Sequence, residues 1–330
     1  MSRLLAEGFA VRKNAGGKLG FPFVKRRRAR SAQILLYHRI NDESDRVFPA
    51  VPTRVFARQM EYVAENYIVC SLGEMVERLR SNDLPPNLLA ITFDDGYRDN
   101  FTHAFPVLRR LGLPATIFLA TDAIGTGRVL WQDRVFAALR ETRATVLENF
   151  PGDGAPIRIG GYSDRQGALI RILKFLWSLE EGERSAWVDK VIRQLGVQNR
   201  IKSDGLMLNW EDVRHMSQRG ITFGSHTVTH PVLSKISLQR AREEIRASKT
   251  IIESNLQAPV KHFAYPVGRR EDFTDEIKKE VRAAGFESAV TTIFGVNDSR
   301  QDLLELRRAT PWDHDIDAFA LQLSYIKFAS

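Results

Sequence analysis

Two adjacent carboxylates, Asp94 and Asp95, end the apolar run Ile91-Thr92-Phe93, and Gly96 frees the turn behind them. Successive residues leaving a strand point in different directions, so one carboxylate can hold a cation while the other faces the water that cation activates. In Gly224-Ser225-His226-Thr227-Val228-Thr229-His230-Pro231, two histidines four apart follow a second apolar run. On one helical turn both imidazoles lie on the same face and share a metal through neutral nitrogens, with coordination positions left for water and substrate. A third segment, His262-Phe263-Ala264-Tyr265-Pro266-Val267-Gly268, fixes a turn through Pro and Gly and can aim a backbone N–H at a developing oxyanion. Taken singly, each segment also fits a plainer role: an Asp-Asp-Gly turn in solvent, a pair of surface histidines, an ordinary strand-to-helix turn. Their shared position at predicted strand ends favours one common site.

The elements that must position them are short β-branched and aromatic runs: Ile34–Tyr37, Leu88–Phe93, Ala115–Leu119, Ile221–Gly224, His262–Tyr265 and Ser288–Thr291. Helical spacing separates them over Phe56–Asn66, Leu72–Arg80, Ala104–Leu111, Leu238–Asn255 behind the N-cap Ser237, and Thr274–Ala284 before Gly285. This alternation predicts a parallel sheet with outer helices, doubly wound or closed into a barrel, with chemistry at the C-terminal strand ends. From Leu130 to Leu208 the rhythm changes to three amphipathic stretches, Gln132–Glu148, Gln166–Leu179 and Arg184–Leu195, with a Gly- and Pro-containing loop at Pro151–Gly161. The expected organisation is a basic segment at 1–30, α/β sequence at 31–125 and 206–330, and a helical insertion at 126–205 that packs on the barrel and supplies no metal ligand.

With 330 residues, 43% of them hydrophobic, the chain can bury one large core. A single cysteine, Cys70, excludes an intramolecular disulfide framework and leaves any metal to histidine and carboxylate. The net charge of +8 owes much to Lys25, Arg26, Arg27, Arg28 and Arg30, a run that reads as a solvated tail or a peripheral membrane contact. No nucleic-acid motif accompanies it, so a nucleic-acid partner is not expected. The opening residues lack an uninterrupted apolar stretch with a cleavage site, and no span of about 20 apolar residues exists, so the expected location is cytoplasmic, with membrane association through the basic segment left open.

Thr-Phe-Asp-Asp-Gly at 92–96 and Ser-His-Thr-x-Thr-His-Pro at 225–231 together resemble the polysaccharide deacetylase family, over residues 31–125 and 206–310. The resemblance implies a distorted (β/α) barrel with fewer than eight strands and metal-dependent hydrolysis of N-acetyl, or O-acetyl, groups on an acetylated polysaccharide. It makes Asp94 the general base and Asp95, His226 and His230 the ligands of a divalent cation, Zn²⁺ foremost, though Co²⁺, Ni²⁺ or Fe²⁺ also suit two imidazoles and a carboxylate. Val267, through its N–H, would face the oxyanion, with Tyr265 and Pro266 beside it at the substrate. Leu35-Leu36-Tyr37-His38-Arg39-Ile40 and Phe-Ala-Tyr-Pro-x-Gly look like the branch associated with exopolysaccharide biosynthesis.

The chain departs from the family pattern in three places. Ala264 stands where many members carry the arginine that orients the catalytic Asp, Val267 replaces an aromatic residue, and Leu306-Arg307-Arg308-Ala309 stands where a Leu-x-His acid is sought. His38 is the candidate for the general acid, a neutral packing role behind the site being its equal alternative and His314 the weaker candidate, while His103 and His215 are assigned to helix structure or surface. Arg308 is expected in a surface salt bridge, its alternative being an electrostatic substitute for the missing arginine. A different class of function, a catalytically silent glycan-binding module, would keep the metal but would not need Asp94.

Overall fold

A computed structural model describes residues 30–43, 47–48, 50–151, 155–197, 205–310 and 313–326. The basic run at 25–28, and with it any membrane contact made there, lies outside the described residues. Strands β1 (Ala32–Tyr37), β2 (Ile68–Val69), β3 (Leu88–Phe93) and β4 (Ala115–Leu119) alternate with helices α1 (Thr53–Asn66), α2 (Leu72–Ser81) and α3 (Phe105–Leu111). Helices α4 (Trp131–Glu141), α5 (Tyr162–Ser178) and α6 (Glu181–Gln194) follow, with the strand pair β5 (Val146–Leu147) and β6 (Ile157–Arg158) between α4 and α5. The alternation resumes with α7 (Trp210–Ser217), β7 (Ile221–Ser225), α8 (Leu238–Leu256), β8 (His262–Ala264), α9 (Asp275–Ala283), β9 (Ser288–Phe294), β10 (Leu306–Arg308) and α10 (Ile316–Ile326).

The sheet runs β1-β3-β4-β7-β8-β9-β10 with every pairing parallel, and β2 adds to the start of β3. Two backbone hydrogen bonds, Leu36 N–H to the Ala309 carbonyl at 2.9 Å and Ala309 N–H to the Ile34 carbonyl at 2.8 Å, join the last strand to the first. The result is a distorted (β/α) barrel of seven strands, as the resemblance implies. β1, β3 and β4 are buried at every residue because helices cover one face and the barrel interior takes the other.

Alternation along the strands sorts the two faces. Leu35, Tyr37, Leu89, Ile91, Phe93, Ile117 and Phe263 join the core beneath the helices, whereas Ile34, Ala90, Phe118, Ala264, Val290 and Leu306 fill the interior. Phe118 occupies the interior so fully that a Cβ on Gly224 would lie 2.4 Å from its ring, so only glycine fits at that point of β7. Thr92 and Asp94 follow Ala90 on the inward parity, and Arg308 follows Leu306. The barrel register thereby aims a carboxylate and a guanidinium at the same axis.

Three elements differ from the sequence expectation. The first inserted helix stops at Glu141, not Glu148, and Val146–Leu147 pairs antiparallel with Ile157–Arg158, which lies in the stretch expected to be loop. No apolar residue continues the helical stripe one turn beyond Leu139, while β-branched Thr142, Thr145 and Val146 favour extended backbone. The seventh barrel strand, β10, is only three residues long and two of them are arginines, which hides it from any reading by apolar runs. The residues from α4 to α6 bury their own core, including Val135, Phe136, Leu139, Leu169, Ile172, Leu173, Val188 and Val191. That core continues into the C-terminal end of the barrel through Tyr97, Ala120, Val232 and Val267. Among the described residues no helix is long and apolar enough to cross a membrane.

Candidate active site

Asp95, His226 and His230 converge at the C-terminal end of β3 and β7, with one possible ligand atom from each within 4.8 Å of the others. His226 Nε2 and His230 Nε2 lie 3.5 and 3.3 Å from the same oxygen, Asp95 Oδ1, and all three side chains are buried. The two histidines do not share a helical turn, contrary to the sequence expectation. Residues 226–230 form a loop in which Thr227 (φ 69°) and His230 (φ 58°) adopt left-handed backbone, and this brings the ring centroids to 4.7 Å. Asp95 itself has φ 76°. Left-handed backbone at three non-glycine residues costs free energy that the surrounding contacts must offset, as is common where function fixes geometry.

Much of that offset comes from Glu244 of α8, a buried carboxylate. Its Oε2 accepts the N–H groups of Val228 (2.7 Å) and Thr229 (2.9 Å), and its Oε1 accepts the Thr229 hydroxyl (2.8 Å). Arg240 balances the charge at 2.7 Å. Trp131, the first residue of α4, donates its indole N–H to the His230 carbonyl at 3.2 Å. The two-histidine loop is thus gripped from both sides.

The donor set fits a cation. His226 Nδ1 lies 2.8 Å from the Ala264 carbonyl, which can only accept, so the proton sits on Nδ1 and the Nε2 lone pair faces Asp95. Burial pushes the His230 imidazole down to about 3, so it too is neutral. Burial lowers His226 too, but the facing carboxylates of Asp95 and Asp94 raise it on balance. Burial would raise Asp95, yet the two facing imidazoles, His226 and His230, hold it below the usual carboxylate range. Lone pairs and a carboxylate facing one another with nothing positive between them are what a divalent cation would satisfy.

Asp94 stands apart from this cluster on the other side of the same turn, and its partner is Arg308. Nη1 and Nη2 of Arg308 reach Oδ1 and Oδ2 of Asp94 at 2.8 and 2.6 Å, Nε donates to the Thr291 carbonyl at 2.6 Å, and Nη1 also meets the Thr92 hydroxyl at 3.2 Å. The guanidinium lies over the Phe118 ring, 5.9 Å from its centroid. Arg308 is 1% exposed, so the surface salt bridge expected from sequence is instead a buried two-pronged pair. Ala264 leaves room on the interior face, and the arginine arrives from β10. Burial would raise the Asp94 carboxyl, but Arg308 and His226 outweigh it and hold it low, so it is ionised and able to accept a proton.

The remaining candidates separate into two groups. His38 and Val267 line one cavity with Asp94, Asp95, His226 and His230, together with Gln132, Leu173, Trp177 and Thr292. Burial lowers the His38 imidazole, against the opposing charges of Asp95 and Asp94. Val267 has φ 61°, and Gly268 N–H bonds back to the Pro266 carbonyl at 2.6 Å, so a strained γ-turn centres on a β-branched residue. Val267 N–H itself has no acceptor among the described residues. Tyr265 and Pro266 do not line the cavity. The Tyr265 hydroxyl donates to the Leu304 carbonyl at 3.0 Å and its ring stacks on Phe273. His103 meets the Thr53 hydroxyl, His215 packs edge-on against Phe101 and Phe105, and His314 is exposed.

Glu244 is the residue that reading by motif missed, and Arg308 was named only as the alternative to a surface salt bridge, the alternative its pairing with Asp94 bears out. A buried glutamate at position 244 of an amphipathic helix carried a faint signal, since it falls on the same stripe as Ala241, Ile245 and Ser248. For Arg308 the signal was indirect, the absence of an arginine at Ala264.

Comparison with known proteins places these features among relatives. The family model described as polysaccharide deacetylase matches residues 81–151 and 176–289. YxkH of Bacillus subtilis strain 168 is 22% identical over 288 residues, covering 87% of this chain and 73% of that protein. The poly-beta-1,6-N-acetyl-D-glucosamine N-deacetylase of Escherichia coli K12 is 34% identical over 82 residues, which are 24% of this chain and 12% of that protein. The deacetylase PplD of Streptococcus pyogenes, solved in complex with acetate, superposes with a TM-score of 0.58 at 21% identity, over 85% of this chain and 92% of that one.

Proposed function

The chain belongs to the polysaccharide deacetylase family, and from that premise we propose that it is a metal-dependent hydrolase that removes N-acetyl groups from an exopolysaccharide. The observation that carries the reading is the pairing of a converging ligand set, Asp95, His226 and His230, with a separate buried carboxylate held ionised by Arg308. A divalent cation on the three ligands would supply a Lewis acid for the amide carbonyl and lower the pKa of a bound water. Asp94 takes the proton from the attacking water and keeps its orientation through both guanidinium bonds. Val267 N–H, fixed by its γ-turn, donates to the oxygen on which negative charge develops. His38, neutral at the cavity wall, is assigned the relay: it takes up the proton that Asp94 removed from water and delivers it to the leaving amine, returning to its neutral form. Acetate and a free amine are the products.

The exopolysaccharide assignment is supported by the E. coli relative that acts on poly-β-1,6-N-acetyl-D-glucosamine and by the sequence around His38 and Pro266. Zinc is the proposed metal because two imidazoles and one carboxylate suit it. A silent glycan-binding module is disfavoured by Asp94 and Arg308, since binding needs no oriented base. The test is acetate release from an N-acetylglucosamine oligomer. We expect turnover that a chelator abolishes and zinc restores; chelator-insensitive release, or none with zinc bound, would overturn the reading.

A further inference from the structure

Helices α4 to α6 pack on the end of the barrel where the candidate ligands sit. Their core takes in Tyr97, Ala120, Val232 and Val267, which lie beyond the C-terminal ends of β3, β4, β7 and β8. These four strands are neighbours in the barrel order, so the helices roof one continuous side of its mouth. Leu173 and Trp177 of α5 carry that roof into the cavity that holds Asp94, Asp95, His226 and His230. Being four apart, they lie one above the other on a single face of α5. The Trp177 ring is fixed by Arg269, whose guanidinium carbon lies 4.9 Å from its centroid, and Arg269 is locked to Asp272 by two side-chain bonds of 2.8 Å. The roof is thereby fastened to the segment that carries Val267.

The exposure of the cavity wall is one-sided. Leu173, Trp177, Val267 and the ligand residues are buried, and among the described residues that line the cavity only His38 and Thr292 keep partial exposure. His38 follows β1 and Thr292 belongs to β9, the two strands that flank β10 in the closed barrel. The opening therefore lies over β10, and the side facing α5 is shut. The space is about 360 Å³ with its open side counted, room for about one sugar residue. A polysaccharide held at an interior residue must leave the site in two directions. This wall offers one.

We propose that the site is one-ended: it takes the acetylated sugar at a chain terminus, end-on through the gap between β1 and β9, and α5 excludes interior residues. Leu173 and Trp177 form the stop, an apolar and aromatic surface against which the face of the terminal ring packs. Once the terminal residue has lost its acetyl group, the next acetylated residue is an interior one, so each chain yields a single acetate. The inference rests on the deacetylase reading above and deepens it, from acetylated polysaccharide in general to the terminal residue of a saccharide chain.

The experiment incubates the zinc-loaded native protein with the fully N-acetylated pentamer of N-acetylglucosamine, counts acetate per chain at completion and locates the free amine by tandem mass spectrometry. The expected result is one acetate per chain, with the amine on one terminal residue. More than one acetate, or an amine on an interior residue, means that the chain passes through the site or that α5 lifts away, and overturns the proposal. Trp177→Ala, with zinc content and Tm measured alongside, should relax the stop, so that acetate exceeds one per chain and interior amines appear. A folded Trp177→Ala protein that still stops at one acetate overturns the role given to α5; if that variant does not fold, the native product map decides alone. If the native protein releases no acetate from the pentamer, the deacetylase reading fails, and calorimetry then decides the one-ended site. A pentamer acetylated only on its terminal residues should bind and one acetylated only on interior residues should not, and equal binding of the two would overturn the proposal.

Discussion

The two halves of the proposed catalytic site are built by opposite means. In the ligand half the two histidines are held locally: His226 and His230 lie in one loop, and the group that shapes that loop, Glu244, sits on the helix that follows, with Asp95 joining them from β3. The base half is long-range, because Asp94 is held by Arg308 from a strand 214 residues further along the chain. The ligand half therefore needs β3, β7, β8 and the helices beside them but not the last strand, whereas the base half exists only once β10 has closed the barrel. The lesson is that metal affinity and catalytic competence rest on different parts of the structure and should come apart under mutation.

The largest separation is expected from Arg308→Met. Removing the guanidinium leaves a buried carboxylate unpaired, so stability should fall by about 3–5 kcal/mol, and the double variant Asp94→Asn/Arg308→Met should recover most of that loss. Acetate release should drop on the order of 10²–10³-fold, since Asp94 loses both its charge partner and its orientation. Zinc content should hold. If zinc binding is lost together with turnover in a folded protein, the two halves are not independent.

Glu244→Gln probes the other half. The amide places an NH₂ where Glu244 now accepts from Val228 and Thr229, so the loop between the histidines loses part of its grip. Zinc affinity should weaken about 10–100-fold, the range for groups that orient metal ligands, measured by competition with a chelating dye. Turnover should return when zinc is raised to saturation. An unchanged affinity would show that the loop holds its shape without Glu244.

What the sequence disclosed follows the same division. Asp95, His226 and His230 stand in short motifs whose chemistry is visible residue by residue, and six barrel strands announce themselves as apolar runs. Arg308 was legible only as an alternative, because its strand is Leu-Arg-Arg and nothing nearby in sequence says that the second arginine points inward. Its direction is set by β10 pairing with β9 and closing on β1, a property of the whole barrel. Glu244 was hidden differently, as one acidic residue in a helix rich in charges. The γ-turn at Val267 defied expectation too, since a β-branched residue gives no hint of left-handed backbone.

A smaller effect tests the seam between α4 and the barrel. Asp133 of α4 is buried, accepts the Tyr97 hydroxyl at 2.7 Å, and is pushed by burial up to about 7, with Asp95 adding to the rise and Tyr97 and Arg39 opposing it. A carboxyl whose folded pKa lies above its unfolded value binds more protons in the native state. Stability is therefore lost as pH rises from about 4 to about 7, by on the order of 1–4 kcal/mol. Asp133→Asn removes that titration, so its Tm relative to the native protein should improve by several degrees between pH 5 and pH 8. A Tm difference that does not change with pH would contradict the account.

The independence of the two halves is tested most directly by Asp94→Asn, with zinc content and acetate release measured on the same preparation. The amide is nearly isosteric with the carboxylate and is not among the converging ligands, so zinc should remain at the native stoichiometry. Acetate release from an N-acetylglucosamine oligomer should fall on the order of 10²–10⁴-fold. Near-native turnover in that zinc-loaded variant would show that another group takes the proton, and that the buried pair of Asp94 and Arg308 serves the fold alone.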